Sequence, residues 1–200
     1  MRIIVLTGWS QSGKDTAADI LVRKYGFTKY AIADPLKDLC ADLYGFAREL
    51  ADTQEGKKTV LKVGYKTKTI RELLIDTAKL DRSRFGDDIY IKATLNKIIS
   101  DGASRVVISD LRYFTELTPI EKFVKQHNSH LQVWKVVRDG QTESPVNDPS
   151  EHGLQTLKPR HILENPGTTI QALEEKISEI LSRKDELSNP QNEDDGCCIM

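Results

Sequence analysis

Hydrophobic residues along the chain occur in short continuous runs and, between these runs, at helical spacing. The first run, residues 3–6, is continuous rather than alternating, which is typical of a strand covered on both faces. Similar runs predict strands at residues 30–33, 105–109, 131–137 and 161–165. Helical spacing predicts helices at residues 17–25, 36–43, 70–77, 91–99, 115–126 and 169–181. Strands that alternate with helices indicate an α/β fold, with a five-stranded, mostly parallel sheet, helices on both faces and a ligand site at the carboxyl ends of the strands.

Three segments fall outside this pattern. Residues 48–70 are polar, lysine-rich and aperiodic, so we predict a mobile segment or an irregular insertion there. Residues 139–160 contain two glycines and three prolines, which indicates a long loop of the kind that often forms a lid. From residue 185 onward the chain has little to bury. We therefore predict one domain over residues 1–184 and a flexible acidic tail over residues 185–200.

Composition narrows the class of protein. A length of 200 residues suits one domain, and 38% hydrophobic with 30% charged residues is typical of a globular chain. The sequence has no run of 18 apolar residues, no secretory signal and only three cysteines, so we expect a cytoplasmic location. The net charge of −1 gives no reason to expect nucleic-acid binding. Residues 1–184 hold 29 basic and 25 acidic residues, an excess that suits a small anionic substrate.

A phosphate-binding motif follows the first strand. The segment Gly8-Trp9-Ser10-Gln11-Ser12-Gly13-Lys14-Asp15 matches the pattern G-x-x-x-x-G-K. In such a loop the glycines let successive N–H groups point at phosphate oxygens, the new helix offers its positive end, and the lysine reaches the β- and γ-phosphates. An ordinary tight strand-to-helix turn is the alternative. The strand before the motif and the amphipathic helix after it favour phosphate binding.

Two aspartates are candidate ligands of a magnesium ion. Asp15 stands where this loop usually carries serine or threonine, and Thr16 supplies a hydroxyl one residue later for a phosphate. The alternative for Asp15 is an acid in the first helical turn that only favours the helix dipole. Residues 106–110 have the form of a Walker B strand, in which the final acid, Asp110, holds the magnesium shell. The alternative for Asp110 is a helix or turn cap.

Six segments, in their order and spacing, resemble the deoxynucleoside monophosphate kinases of bacteriophage and virus type, within the P-loop kinase superfamily. They are Ser12-Gly13-Lys14-Asp15-Thr16, Ala33-Asp34-Pro35-Leu36-Lys37, Ile70-Arg71-Glu72-Leu73-Leu74, Asp87-Asp88-Ile89-Tyr90, Ser109-Asp110-Leu111-Arg112-Tyr113 and Asn165-Pro166-Gly167-Thr168. The resemblance implies a P-loop NTPase fold with a flexible lid. It also implies that the γ-phosphate of ATP is transferred, with Mg²⁺, to a deoxynucleoside 5′-monophosphate to give dNDP.

The resemblance also implies roles for residues on the donor side. Lys14 and Arg112 are the expected catalytic residues, because both would contact the phosphates near the metal. Gly8, Ser12, Gly13, Asp15 and Thr16 are expected to bind ATP together with Lys14. Arg138, which follows a strand in the same way as Arg112, is also expected to face ATP. The alternative for each arginine is a solvated surface charge.

On the acceptor side the resemblance assigns Lys37 and Arg71 to the phosphate of the monophosphate substrate. Asp88 and Tyr90 are expected to contact its sugar or base, although Tyr90 has the alternative role of a core aromatic. The acceptor phosphate is itself the nucleophile and is largely dianionic at neutral pH, so no general base is needed. Catalysis then consists of positioning and charge neutralisation.

Departures from the family pattern leave other functions open. Tyr113, residues 115–116 and residues 76–77 differ from the common family residues, so the resemblance does not fix the preferred base. A phosphomevalonate kinase of animal type shares the Gly-Lys-Asp loop and is the alternative enzyme. A small GTPase switch is the alternative that is not a metabolic enzyme. The guanine-binding motif Asn-Lys-x-Asp of such switches is missing, because residues 96–99 begin with Asn-Lys but lack the aspartate.

The carboxyl terminus, Cys197-Cys198-Ile199-Met200, fits the C-a-a-X pattern for farnesylation. A chance match of four residues is the alternative. One lipid chain without a basic patch anchors weakly, so we expect membrane contact only if Cys197 is prenylated. The expected partners are ATP and the deoxynucleoside monophosphate, and the sequence is compatible with a homodimer.

Overall fold

The computed structural model describes residues 1–111, 114–141 and 159–182. Its strands are β1 (Arg2–Thr7), β2 (Thr28–Tyr30), β3 (Val60–Val63), β4 (Lys66–Thr69), β5 (Arg105–Ile108), β6 (His130–Arg138) and β7 (His161–Asn165). Its α-helices are α1 (Lys14–Tyr25), α2 (Asp34–Tyr44), α3 (Ile70–Phe85), α4 (Ile89–Ser100), α5 (Phe114–Gln126) and α6 (Ile170–Ser182). The predicted α/β organisation is therefore confirmed. Within these ranges no helix is long and apolar enough to cross a membrane.

Five strands form a parallel sheet in the order β2-β5-β1-β6-β7. The continuous apolar run of β1 lies at its centre, paired with β5 on one side and β6 on the other. The chain leaves β1 through α1 to β2 on one side of the sheet, and α5 later connects β5 to β6 on the other side of β1. Ligands of open α/β sheets bind at the carboxyl end of such a strand. The fold thus places the phosphate-loop motif at the point where a ligand is expected.

Side chains of β1 alternate between two hydrophobic cores, one on each face of the sheet. Ile3 and Val5 join the core beneath α4 and α5, whereas Ile4 and Leu6 join the core beneath α1 and α6. All four are fully buried. Successive side chains of a strand point to opposite faces, which explains why a strand buried on both faces is continuously apolar.

The second strand is shorter and earlier than predicted. It covers Thr28–Tyr30, whereas the sequence predicted residues 30–33. Beyond Tyr30 the backbone leaves the sheet, because the N–H groups of Ile32 and Ala33 donate to the carboxylate of Asp110 instead of to a neighbouring strand. This turn leads directly into α2.

The prediction of an irregular segment at residues 48–70 was wrong. Two short 3₁₀-helices, Arg48–Ala51 and Gly56–Lys58, are followed by the antiparallel hairpin of β3 and β4. The hairpin turns at Gly64, where φ is 61°. Its alternation was hidden by lysines, because Lys68 and Lys66 pair with Leu61 and Val63 and share the face of these apolar residues, whereas Val60 is exposed on the other face. Leu61 packs against a third buried cluster that contains Cys40 and Ile70.

Candidate active site

The phosphate loop has the backbone that its glycines were expected to allow. Gly8 has a φ of 140° and Gly13 a φ of 101°, and both values lie in the region that favours glycine. A Cβ on Gly8 would lie 2.3 Å from the carbonyl oxygen of Val136, and a Cβ on Gly13 would lie 2.3 Å from Nδ2 of Asn165. Gly8 is therefore required by space as well as by conformation, because its obstacle is backbone, whereas a Cβ on Gly13 would displace the side chain of Asn165. The loop delivers the chain into α1, whose first N–H groups have no partner within the helix.

Lys14 lies across the mouth of the loop. Its ammonium donates hydrogen bonds to the carbonyl oxygens of Gly8, at 2.7 Å, and of Trp9, at 2.6 Å. These contacts hold the cation at the loop, at the position from which it would meet a bound phosphate. A phosphate oxygen can take the place of a carbonyl oxygen in one of these contacts, because both are acceptors for an ammonium N–H.

The next three carbonyls of the loop each accept a hydrogen bond from a side chain at the end of β6 or β7. The pairs are Gln141 Nε2 to Ser10 O at 3.0 Å, Arg138 Nη1 to Gln11 O at 3.5 Å and Asn165 Nδ2 to Ser12 O at 2.8 Å. The N–H of Ser12 donates to the Trp9 carbonyl at 3.2 Å, and carbonyls held outward in this way direct other N–H groups of the loop toward an anion. Gln141 and Asn165 were not predicted as site residues.

A cavity of about 510 Å³ adjoins the loop. On one side it is lined by residues 13–16, and on the other by residues 167–170, with Arg138 at its edge. Arg138 packs closely on Gly167, where an added Cβ would lie 3.2 Å from Nε of the arginine. The volume is within the range of small-molecule sites, about 300–1,000 Å³. The structure thus brings the predicted donor-side residues Gly13, Lys14, Asp15, Thr16 and Arg138 to one cavity.

Asp15 is mostly exposed, with 81% of its side chain accessible, and it pairs with Lys29 at 3.1 Å. Lys29 also pairs with Asp19 at 3.0 Å. Burial lowers the pKa of Lys29, but the hydrogen bonds and charges of Asp19 and Asp15 outweigh it, so the pKa is raised. Asp15 is thus an acid of the first helical turn that also lines the cavity, and its role as a metal ligand stays a prediction.

Asp110 shows the capping role that was the alternative for it. Its Oδ1 accepts the N–H of Ile32 at 2.6 Å, and its Oδ2 accepts the N–H of Ala33 at 3.1 Å. These bonds join the end of β5 to the turn before α2. Its metal role also stays a prediction.

Lys37 belongs to a group of ion pairs, here called the Arg48 cluster, that consists of Asp34, Lys37, Asp38, Arg48 and Asp52. Lys37 Nζ lies 2.9 Å from Asp52 and 3.3 Å from Asp34. Arg48 joins all three aspartates, at 2.9, 2.5 and 2.8 Å for Asp34, Asp38 and Asp52. Three carboxylates against two cations give the cluster a net charge of −1. The predicted phosphate-binding lysine is therefore already held by carboxylates.

Asp52 is the carboxylate of the cluster whose pKa is shifted. Burial raises the pKa of its carboxyl, but the hydrogen bonds and charges of Arg48 and Lys37 outweigh this effect, so the pKa is lowered from 3.8. Asp52 is thus ionised at neutral pH and pairs with Lys37 as a carboxylate. No sequence signal pointed to Arg48 or Asp52, because their role depends on a 3₁₀-helix that was not predicted.

The other acceptor-side candidates have partners outside the Arg48 cluster. Arg71, in the first turn of α3, donates to Gln54 and is exposed. Asp88 pairs with Lys92 at 2.8 Å and lines a second cavity, of about 750 Å³, between α4 and α5. This cavity does not include the phosphate loop.

Tyr90 shows the core role that was the alternative for it. It is 5% exposed, and its hydroxyl donates to Asp81 at 2.6 Å. Burial, together with the charge and hydrogen bond of Asp81, raises its pKa. The ring therefore offers little surface to a nucleotide, and it ties α4 to α3.

Several predicted features lie outside the described residues. They are Arg112, residues 142–158 of the predicted lid, and residues 183–200, which hold the predicted acidic tail and Cys197. Leu111, just before Arg112, is fully buried at the carboxyl end of β5.

The family model of deoxynucleotide monophosphate kinase matches residues 2–76, which include the phosphate loop, Lys37 and Arg71. A relative from Acanthamoeba polyphaga mimivirus, named "Putative deoxynucleotide monophosphate kinase", is 30% identical over 203 residues, which cover 94% of this chain and 98% of the relative. The chain belongs to the deoxynucleotide monophosphate kinase family. It is thus a kinase with a nucleotide-binding phosphate loop, and the family membership decides against the phosphomevalonate kinase and GTPase alternatives.

Other members and more distant proteins are also similar to the chain. The deoxynucleotide monophosphate kinase of Enterobacteria phage T4 is 44% identical over 45 residues, 22% of this chain and 19% of that protein. Among solved structures, the Mycobacterium tuberculosis APS kinase CysC in complex with AMPPNP and APS is 13% identical, with a TM-score of 0.46, and the match covers 90% of this chain and 96% of that one. A gluconokinase from Sinorhizobium meliloti 1021 is 14% identical, with a TM-score of 0.45 and coverage of 90% and 91%.

Proposed function

We propose that this family member transfers the γ-phosphate of ATP to a deoxynucleoside 5′-monophosphate and releases ADP and dNDP. The observation that carries the proposal is the phosphate loop, with Lys14 at its mouth, beside a cavity large enough for a nucleoside. The triphosphate of ATP lies along the loop and the N-terminus of α1. Its nucleoside enters the cavity against residues 167–170, with Arg138 beside it.

The residues of the loop fit a magnesium ion. Mg²⁺ is usually held by one or two carboxylates together with substrate phosphates. The carboxylate of Asp15 is exposed at the cavity, and the hydroxyl of Thr16 lies one residue further along α1. Asp15 and Asp110 are the residues that would hold the ion, and a bound ion would neutralise charge on the phosphates.

The acceptor phosphate is placed at Lys37 and Arg71. An oxygen of this dianion forms a bond to the γ-phosphorus of ATP, and the bond from that phosphorus to the bridging oxygen of ADP breaks. Lys14, Arg112 and Arg138 balance the negative charge of the two phosphate groups. Two of the three donors of Lys37 are engaged by Asp34 and Asp52, so the acceptor phosphate takes the third or displaces a carboxylate.

The test is a coupled assay of ADP release by the full chain with ATP and Mg²⁺. The acceptors are dTMP, dGMP, dCMP and a 5-substituted dCMP, with the matching ribonucleotides for comparison. We expect release with at least one deoxynucleotide and formation of the corresponding dNDP. A folded protein that releases no ADP with any nucleoside monophosphate would refute the proposal. The Lys14→Ala variant is the control for contaminating kinases.

A further inference from the structure

The cavity beside the phosphate loop has walls that come from opposite ends of the chain. One wall is the loop with the start of α1, and the other is the segment between β7 and α6, here called the β7–α6 loop (residues 166–169). Asn165, the last residue of β7, lies where these walls meet and is 8% exposed. Its own backbone carbonyl accepts the N–H of Asp139 at 2.8 Å, which fixes it to the end of β6.

The side chain of Asn165 makes a different contact with each wall. Its Nδ2 donates to the carbonyl of Ser12 at 2.8 Å, and its Oδ1 accepts the N–H of Gly167 at 3.1 Å. An amide has a donor end and an acceptor end, so one short side chain satisfies both partners. Aspartate at this position would lack the donor, and alanine would lack both ends.

The bond to Ser12 also orients a donor of the phosphate loop. In a trans peptide the carbonyl of one residue and the N–H of the next point in opposite directions. A Ser12 carbonyl held toward Asn165 therefore directs the N–H of Gly13 away from it. The fit is close, because Nδ2 of Asn165 lies 2.3 Å from where a Cβ of Gly13 would be. The peptide between Ser12 and Gly13 is thus fixed from one side by Asn165.

We propose that Asn165 is a positioning residue for phosphate binding: it orients the Ser12–Gly13 peptide toward the bound phosphates and joins it to the β7–α6 loop. The inference rests on the proposed function in that ATP is the ligand of this cavity. It predicts that loss of the amide weakens the binding of the phosphate chain itself, including a chain without a nucleoside.

The test uses Asn165→Asp and Asn165→Ala in the full chain, with Glu164→Gln as the matched control. Glu164 is the neighbouring residue and is exposed. ATP and inorganic tripolyphosphate are titrated in the same magnesium buffer, well below the melting temperature of each variant. We expect both Asn165 variants to bind both probes at least about tenfold more weakly than the wild type, a change of about 1.4 kcal/mol. The control is expected to stay within twofold.

Two comparisons separate orientation from other effects. Asn165→Asp adds a negative charge near the phosphates, whereas Asn165→Ala does not. Weak binding of both probes by both variants would therefore be due to the lost hydrogen bond from Asn165 to Ser12. If Asn165 served only the stability of the fold, its substitution would lower the melting temperature but leave the affinity of the folded protein for tripolyphosphate unchanged. If Asn165→Asp does not fold, the affinities of Asn165→Ala for the two probes decide whether the inference holds.

Affinities within twofold of the wild type for both probes would overturn the inference. The experiment measures binding of ATP and tripolyphosphate only, and it needs no nucleoside monophosphate. A wild-type protein that binds ATP but phosphorylates no nucleoside monophosphate would therefore refute the proposed function and leave this inference standing.

Discussion

Replacing Asp52 by asparagine tests whether the Arg48 cluster competes with the acceptor phosphate. Asp52 lies 2.9 Å from the ammonium of Lys37 and is ionised at neutral pH. In the wild type a dianionic acceptor must displace this carboxylate or bind beside it. The substitution keeps the size of the side chain and removes its charge, so Asp52→Asn is expected to lower KM for the acceptor and to leave KM for ATP unchanged.

The size of the effect follows from the charges. A dianion and one carboxylate about 6 Å apart repel each other by about 1.4 kcal/mol in a water-like dielectric, which corresponds to roughly tenfold in KM. At ~0.15 M ionic strength the Debye length is about 8 Å, which cuts the repulsion to about half and the expected change to roughly threefold. The dependence on salt is thus part of the prediction.

The cost in stability is expected to be small. Half of the Asp52 side chain is exposed, and exposed ion pairs contribute about 0–1 kcal/mol each. Because the pKa of Asp52 is lowered from 3.8, its ionised form stabilises the fold above that pH. This contribution is lost as the pH falls through the lowered value, so the stabilities of variant and wild type should converge in acid.

The assay is initial-rate ADP release at saturating ATP with varied deoxynucleoside monophosphate, at low salt and at ~0.15 M salt. Asp42→Asn, on the same helix as Lys37 but exposed and outside the cluster, is the matched control. An unchanged or higher KM for the acceptor in Asp52→Asn, with unchanged kcat, would refute the reasoning. In that case the cluster holds Lys37 in its working position rather than away from it.

Three further substitutions have defined outcomes. Lys14→Ala should retain its helical circular dichroism and lose ~10³-fold or more in kcat, in line with the loss of several kcal/mol of charge stabilisation, and near-normal activity would remove Lys14 from the site. Gly8→Ala should abolish ATP binding in a titration, because its Cβ would lie 2.3 Å from the Val136 carbonyl, and wild-type affinity would show that the loop adapts. Tyr90→Phe should lower the melting temperature by about 3–12 °C, since a hydrogen bond to a charged group contributes ~1.5–3 kcal/mol. A higher KM for the acceptor in Tyr90→Phe would instead indicate substrate contact.

The central strand and the phosphate loop could be predicted from sequence because each is encoded locally. A continuous apolar run indicates burial on both faces, and the loop's glycines stand at fixed spacing before a helix. The second strand was misplaced because its end is set by Asp110, almost 80 residues later. The hairpin of β3 and β4 was missed because lysines obscured its alternation.

The candidate site was only partly predictable for the same reason. Lys14 could be predicted from the glycine spacing of the phosphate loop, and Arg138 from its place at the end of a strand. Asn165 and Arg48 could not, because their partners are supplied by the fold. The amide of Asn165 contacts a residue 153 positions earlier, and Arg48 contacts two aspartates on α2 and Asp52 just after its own 3₁₀-helix. Tyr90 was ambiguous in sequence, since a buried aromatic and a base-contacting aromatic can follow the same pattern.

The two tryptophans of the chain occupy very different surroundings. Trp134 is fully enclosed in the core of the sheet, with its indole N–H donated to Gln132 at 3.2 Å. Trp9 is half-buried within the phosphate loop, and its carbonyl is held by Lys14. The emission of Trp134 is thus a constant background, whereas the emission of Trp9 follows the loop. The protein therefore carries an intrinsic fluorescent reporter at its phosphate site. Replacing Trp134 by phenylalanine would remove the background and leave Trp9 as the only tryptophan that emits.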